Sequence, residues 1–262
     1  MNIGEQIFTG MNSYVSAFRI LDKHNLWSIL ILPMILSLMI AIVVVLLAWV
    51  TSDDIVLYVT GRYSFYDYDT NIGNMIELFI SILIRGLILF FYLKIYRYLV
   101  LIVLSPVFVR ISEILHKNID GADLAMNFRT YCFCSFRGIR VAVRNFILEL
   151  LMTAGLFLLT LIILWILPVI PAVILLVESY FFGMVMMDYA YEMDGLSAIQ
   201  SRVIIRKNAG IALGNGLIFN IIILLPLIGV ILGPILALVA ARTAIDETKN
   251  TKFYVSPVHK PI

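Results

Sequence analysis

Three stretches of this chain carry no charged side chain: residues 26–50, 150–177 and 209–241. About 20 apolar residues in a row cross the hydrocarbon of a bilayer as an α-helix. No other feature constrains the fold as much. Lipid offers the backbone no hydrogen bonds, so only helices or closed barrels satisfy every peptide group there. Composition points the same way: of 262 residues, 62% are hydrophobic and 14% charged, and mean hydropathy is +1.01. A soluble domain holds about 25% charged residues, so this chain lacks the polar surface to dissolve. The reading is an all-α integral membrane protein in contact with the lipid bilayer. A net charge of +2 is too small to indicate a nucleic-acid partner.

Residue types that carry enzymatic chemistry are sparse. Cys132 and Cys134 stand in "YCFCSF". A disulfide between such near neighbours would be strained, and no histidine accompanies them for a metal, so both read as reduced apolar side chains. His24, His116 and His259 are scattered, and no Walker motif occurs. Neither enzyme activity, cofactor nor metal site is expected. Residues 1–25 mix polar and apolar types and show no cleavable signal peptide.

Along the chain, residues 1–25 repeat Ile3, Ile7, Phe8, Met11, Val15, Phe18 and Leu21 at helical spacing. The spacing predicts an amphipathic helix, either lying on the membrane surface or capping the bundle. Residues 26–50 are a spanning helix with Trp27 and Trp49 near the two interfaces. Residues 51–74 hold Asp53, Asp54, Asp67 and Asp69 against the single basic Arg62, which predicts an external loop. Residues 74–109 form a second spanning helix with a cytosolic extension, broken or bent by Pro106. Residues 110–149 carry Arg110, Lys117, Arg129, Arg137, Arg140 and Arg144 and are placed in the cytosol by the positive-inside rule. Arg137, Arg140 and Arg144 share one helix face. That face reads as a headgroup-facing stripe or as an anion-attracting vestibule.

The two remaining apolar runs are interrupted: residues 150–177 by Pro168 and Pro171, residues 209–241 by Pro226, Gly229, Gly233 and Pro234. If each doubles back there, the basic segment 178–208 and the tail 242–262 join 110–149 in the cytosol, and one basic-poor loop remains outside. The expected architecture is therefore two long transmembrane helices, at about 26–50 and 74–100, plus two proline-tipped membrane-embedded helical hairpins. A four-span bundle with kinked third and fourth helices is the alternative. Gly229 and Gly233 also form a Gly-x-x-x-Gly pair that permits close helix packing.

Candidate anion-handling residues follow from the same map. Glu77, Ser81 and Arg85 stack on one face of the second span. Intramembrane ionisable groups usually face a bundle interior or a watery path, so Arg85 is read as an anion relay with Glu77 as its counter-charge, or else as half of a structural pair. Glycines near helix N-termini let an anion approach free backbone N–H groups. Candidate cradles are Gly4 to Gly10, and Gly210 to Gly216 through Gly214, just after Arg202, Arg206 and Lys207.

The segment from Tyr180 to Glu247 sets out an ordered pattern. It runs Gly183, Asp188-Tyr189, Arg202, Arg206, Asn208, Gly214, Gly216, the "LPLIG" turn, then Pro234 with Ala237, Ala240, Ala241 and Thr243. Upstream stand "ILPMIL" around Pro33 and "LSPVFVRISEIL". This ordered set resembles the CysZ sulfate-permease family and its eukaryotic etoposide-induced relatives. Ser37, Val107 and Arg242 depart from the family pattern. The basic counts place both termini in the cytoplasm, and the resemblance implies a bacterial inner-membrane protein with two spanning helices and membrane-embedded hairpins, forming homo-oligomers. It also implies passage of sulfate inward for cysteine synthesis, with a non-transporting scaffold or regulator as the rival function.

Overall fold

The computed structural model describes residues 1–62, 71–121, 126–225 and 228–250. Every regular element among them is helical: α1 Ile3–Lys23, α2 Trp27–Arg62, α3 Asn71–Val103, α4 Ser105–Asp120, α5 Phe128–Ile162, α6 Ile170–Met193, α7 Ala198–Lys207, α8 Ala209–Ile222 and α9 Ile228–Asn250. Four segments are long and apolar enough to cross a membrane: Trp27–Val59, Leu78–Val103, Phe128–Ile162 and Ile170–Met193. The chain forms two units, one of Met1–Ser37 with Leu101–Ile262, the other of Leu38–Val100.

The Leu38–Val100 unit is the antiparallel pair of α2 and α3. Arg85 Nη2 meets Asp53 Oδ1 at 3.0 Å, and Thr51 Oγ1 meets Tyr92 OH at 3.1 Å. Trp49, Leu57, Leu78, Phe79 and Ile82 are exposed, as lipid-facing side chains are. The expected external loop is shorter than 51–74. No proline or glycine stands between Thr51 and Thr60, so the hydrogen-bond ladder runs on to Arg62, and α3 begins at Asn71. At its other end α3 stops at Val103, and Pro106 lies in the first turn of α4, where its missing N–H leaves no bond unmade. The expected 74–109 segment is thus two helices, parted at Leu104, just before Pro106.

In the larger unit α6 is the hub, packed against α4, α5, α7, α8 and α9. Its residues Phe181 to Met193 are all buried. Helix α1 begins with a capping box in which Glu5 N donates to Asn2 Oδ1 at 2.8 Å and Asn2 N donates to Glu5 Oε2 at 3.1 Å. It buries Gly10, Ser13, Tyr14, Ala17 and Leu21 against α8 and α9 and leaves Ile3, Phe8, Val15 and Phe18 exposed. Its packing face mixes the small Gly10, Ser13 and Ala17 with Tyr14 and Leu21. Tyr14 OH donates to Asn215 O at 2.9 Å, and burial pushes the Tyr14 phenol well up, so the donor keeps its proton.

Glycine sets the helix spacing. A Cβ on Gly10 would stand 2.4 Å from Ile211 O, one on Gly214 2.2 Å from Ile7 O, and one on Gly216 1.9 Å from Ser179 O. Helices α1, α6 and α8 therefore touch backbone to backbone, the approach that small residues allow in membrane proteins.

The turn after α5 spans residues 163–169. Pro168 lies in it and Pro171 in the first turn of α6. The arms are longer than residues 150–177 imply. Helix α5 reaches back to Phe128 and α6 forward to Met193, about 52 and 36 Å long. The chain holds no proline between Phe128 and Ile162, so the expected helix over residues 128–149 runs on without a break into residues 150–162. The second turn follows Ile222. Pro226 lies outside the described residues, and Gly229 sits in the first turn of α9, where a Cβ would meet Ile222 O at 1.9 Å. Gly233 faces the ring of Phe219. Pro234 falls inside α9, not at the turn: the helix begins at Ile228, so the ring removes one bond in the second turn and leaves the rest of the helix intact.

Candidate anion site

Helix α5 presents two different faces. Phe133, Phe136, Val143, Ile147 and Leu151 are exposed, whereas Ser135, Asn145, Glu149, Thr153 and Thr160 are buried. Polar groups inside and apolar groups outside is the pattern of a helix in lipid. Asn145 is only 1% exposed, and neither amide atom finds a hydrogen-bond partner among the described residues.

Of the four arginines of α5, the three expected to share a face have different fates. Arg140 is exposed. Arg137 is gripped from three directions. Its Nη2 donates to Asp188 Oδ1 at 3.0 Å and to Ser201 Oγ at 2.9 Å, its Nη1 donates to Leu196 O, and its Nε stands 3.5 Å from Glu192 Oε1. Asp188 and Glu192 lie four apart on α6, so one helix face supplies both carboxylates.

Arg144 is half-buried and has Arg202 and Arg206 of α7 within electrostatic reach. None of these three arginines has a hydrogen-bonded or ion-paired partner among the described residues. The carboxylate that feels Arg202 is Asp188, already engaged by Arg137. The half-buried Tyr180 of α6 is close enough to Arg206 to feel its charge. Three guanidinium groups so arranged repel one another, and an oxyanion placed among them would relieve the repulsion while accepting planar, bidentate hydrogen bonds.

Local sequence sets α7 in place. Gly195 takes a left-handed backbone, φ +75°, which turns the chain after α6. Ser197 and Gln200 then close a capping box that starts α7. Arg202 and Arg206 lie four apart, so α7 delivers both to one side.

The other expected residues are spread apart. Gly4 is exposed at the start of α1, whose first turn already holds the Asn2–Glu5 box. Gly10, Gly214 and Gly216 face helix backbone. Gly210 N donates to Gln6 Oε1 at 3.1 Å, so a protein amide accepts from the expected cradle. Lys207 is exposed at the end of α7. Arg85 pairs with Asp53 at 3.0 Å, and its expected counter-charge Glu77 has a side chain outside the described residues.

Sequence reasoning passed over Asp188, Glu192 and Ser201 as ligands of Arg137. The available signal was an acidic i, i+4 pair in an apolar helix. It also passed over a second buried node. Arg242, 1% exposed, donates to Ala190 O at 3.1 Å and Asp194 Oδ1 at 2.8 Å and meets His116 Nδ1 at 3.0 Å. That node gives Arg242 its place in a small-residue ending. Ser37 is buried as well, with its hydroxyl bonded to Met34 O at 2.9 Å and near Ile231 O at 3.4 Å.

The family model described as sulfate transporter CysZ/etoposide-induced protein 2.4 matches residues 13–234, which include Arg137, Arg144 and all of α7. No individual curated protein matches the chain.

Proposed function

The chain belongs to the sulfate transporter CysZ/etoposide-induced protein 2.4 family, and on that footing we propose that it is an inner-membrane permease or channel for sulfate or a similar inorganic oxyanion. The observation that carries the reading is that Arg144 lies within electrostatic reach of Arg202 and Arg206, with none of the three ion-paired among the described residues. A doubly charged oxyanion entering this mouth exchanges water for guanidinium donors. Arginine is weakly hydrated and suits such an exchange. The buried Asn145 of α5, whose amide has no partner among the described residues, then offers hydrogen bonds on a face it shares with the buried Glu149. Arg85, with Asp53 as its counter-charge, is a second station in the Leu38–Val100 unit. In the cell the sulfate would feed cysteine synthesis.

The proposed topology has α2 and α3 spanning and two hairpins, α5–α6 and α8–α9, entering from the cytosolic side, with both termini cytoplasmic. Backbone pairing supports it. In the first turn Ile163 N, Ile166 N and Val169 N donate to Leu159, Ile163 and Ile166 carbonyls, and Pro168 and Pro171 have no N–H to satisfy. In the second, Ile223 N, Leu224 N and Leu225 N donate to Phe219, Ile221 and Ile222 carbonyls. Turns that use their own donors are tolerable at membrane depth. A second copy of the chain covers the apolar tips in this reading.

The test is uptake of radiolabelled sulfate by proteoliposomes, with chloride and phosphate as competitors. Uptake that falls in Arg144→Ala and Arg206→Ala supports the permease. No uptake above empty liposomes leaves the scaffold or regulator standing instead.

A further inference from the structure

Arg202 and Arg206 stand within electrostatic reach of Arg144 on a short helix that packs on α6 and α8. Helix α7 has ten residues and buries only Ser201 and Ile205. Three like charges without an ion between them push α7 outward, the more so where water is thinned. An opposing tie is needed, and its residues are on one guanidinium.

Arg137 Nη1 donates to Leu196 O in the connection that leads into α7, and Nη2 donates to Ser201 Oγ, 2.9 Å away in the first turns of α7. Ser201 Oγ spends its own proton on Ser197 O at 3.1 Å, which leaves its lone pairs to accept from Arg137. The same guanidinium is anchored on α6 by Asp188 at 3.0 Å and Glu192 at 3.5 Å. One planar fork thus joins α5, α6 and both ends of the turn into α7. A lysine ammonium is a point charge and cannot make the same set.

We infer that Arg137 is a positioning residue of the proposed anion site: it clamps α7 onto α5 and α6, so that Arg144, Arg202 and Arg206 are already convergent when an anion arrives. The inference rests on the anion-permease reading. Arg137 acts through α7 and does not touch the ion.

The experiment is sulfate titration of the purified full chain at fixed ionic strength, in wild type and in Arg137→Lys, Ser201→Ala and Arg242→Lys. Pre-organisation predicts that Arg137→Lys weakens sulfate binding about tenfold or more and Ser201→Ala about threefold. Arg242→Lys also disrupts a buried arginine node, but one whose contacts at Ala190 and Asp194 stop before α7 begins. It lowers thermal stability and leaves sulfate affinity within about twofold of wild type. Should Arg137→Lys not fold, Ser201→Ala carries the comparison. Wild-type binding of sulfate with unchanged affinity in Arg137→Lys or, in its place, Ser201→Ala overturns the clamp, and so does an equal loss in Arg242→Lys. Wild-type protein that binds no sulfate overturns the anion reading, and the clamp with it.

Discussion

Arg137 Nη2 lies 3.0 Å from Asp188 Oδ1, and both side chains are almost fully withdrawn from solvent. Removing one partner of such a pair leaves a buried charge uncompensated, which costs about 3–5 kcal/mol. Asp188→Ala should therefore lower the thermal midpoint of the purified protein sharply. Replacing both partners by apolar residues, Arg137→Met with Asp188→Leu, should recover part of that loss, because the closest charge pair is removed together and only Glu192, 3.5 Å from Arg137 Nε, loses its counter-charge. A double variant no more stable than Asp188→Ala would show that the charges are worth more than their burial penalty.

The arginine cluster predicts opposite signs with and without ligand. Arg206→Ala removes like-charge repulsion, so in sulfate-free buffer its thermal midpoint should match or exceed that of the wild type. A ligand at 100 times its Kd stabilises the folded state by about 2.7 kcal/mol. The wild type should thus gain stability steeply with sulfate, whereas Arg206→Ala should gain much less. Differential scanning fluorimetry across a sulfate series reads both effects.

Glycines separate into two classes. At Gly183 and Gly216 an added Cβ would stand 1.9 Å from a backbone carbonyl of the neighbouring helix, so alanine must force the helices apart. Overpacking of this kind costs about 1–3 kcal/mol. Gly86 and Gly155 have nothing within 4 Å of the same position. There alanine should be neutral or stabilise by up to about 1 kcal/mol through helix propensity. Comparing the four single variants by thermal unfolding checks the distinction.

Tyr14 supplies a pH dependence. Its folded pKa is raised by burial, while in the unfolded chain the phenol ionises near its usual value of about 10. The contribution is full below about pH 10 and declines as the pH climbs above it, since only the unfolded state then releases the proton. Tyr14→Phe should lose about 1 kcal/mol at neutral pH, from the bond to Asn215 O. It should also show a shallower loss of stability between about pH 10 and 11 than the wild type.

The membrane helices were legible because their signal is long and redundant. Residues 26–50 needed only the absence of charge, and α3 its long apolar pattern around Arg85, Lys94 and Arg97. The boundaries were less so: the chain alone does not say that a helix passes from the hydrocarbon into an arginine-bearing stretch without a break, as α5 does from Arg129 to Ile162. Half of the candidate site was legible too. Arg202 and Arg206 stood out as charges, but their neighbour Arg144 comes from a helix some 60 residues away, and only tertiary packing unites them. Glycine was the misleading signal. Close approach to backbone serves a helix as well as an ion, and at Gly10, Gly214 and Gly216 the helix is there.

Trp165 tests the topology without a new label on the hairpin tip. It is 94% exposed in the turn between α5 and α6, beside the exposed Ile162 and Leu167. If α5 and α6 form a re-entrant hairpin, this indole lies deep in the hydrocarbon. If α5 crosses completely, the indole belongs at the far interface, where tryptophan is enriched. In the double variant Trp27→Phe, Trp49→Phe, Trp165 is the sole remaining tryptophan. Its fluorescence in bilayers of lipids brominated at different acyl depths then reports where it sits. The hairpin predicts strongest quenching by bromines near the bilayer centre, together with cytosolic labelling of Ser197→Cys in intact cells. Quenching strongest near the headgroups, with Ser197→Cys labelled from outside, would establish the four-span bundle and place the termini of α7 on the other side of the membrane from Arg110.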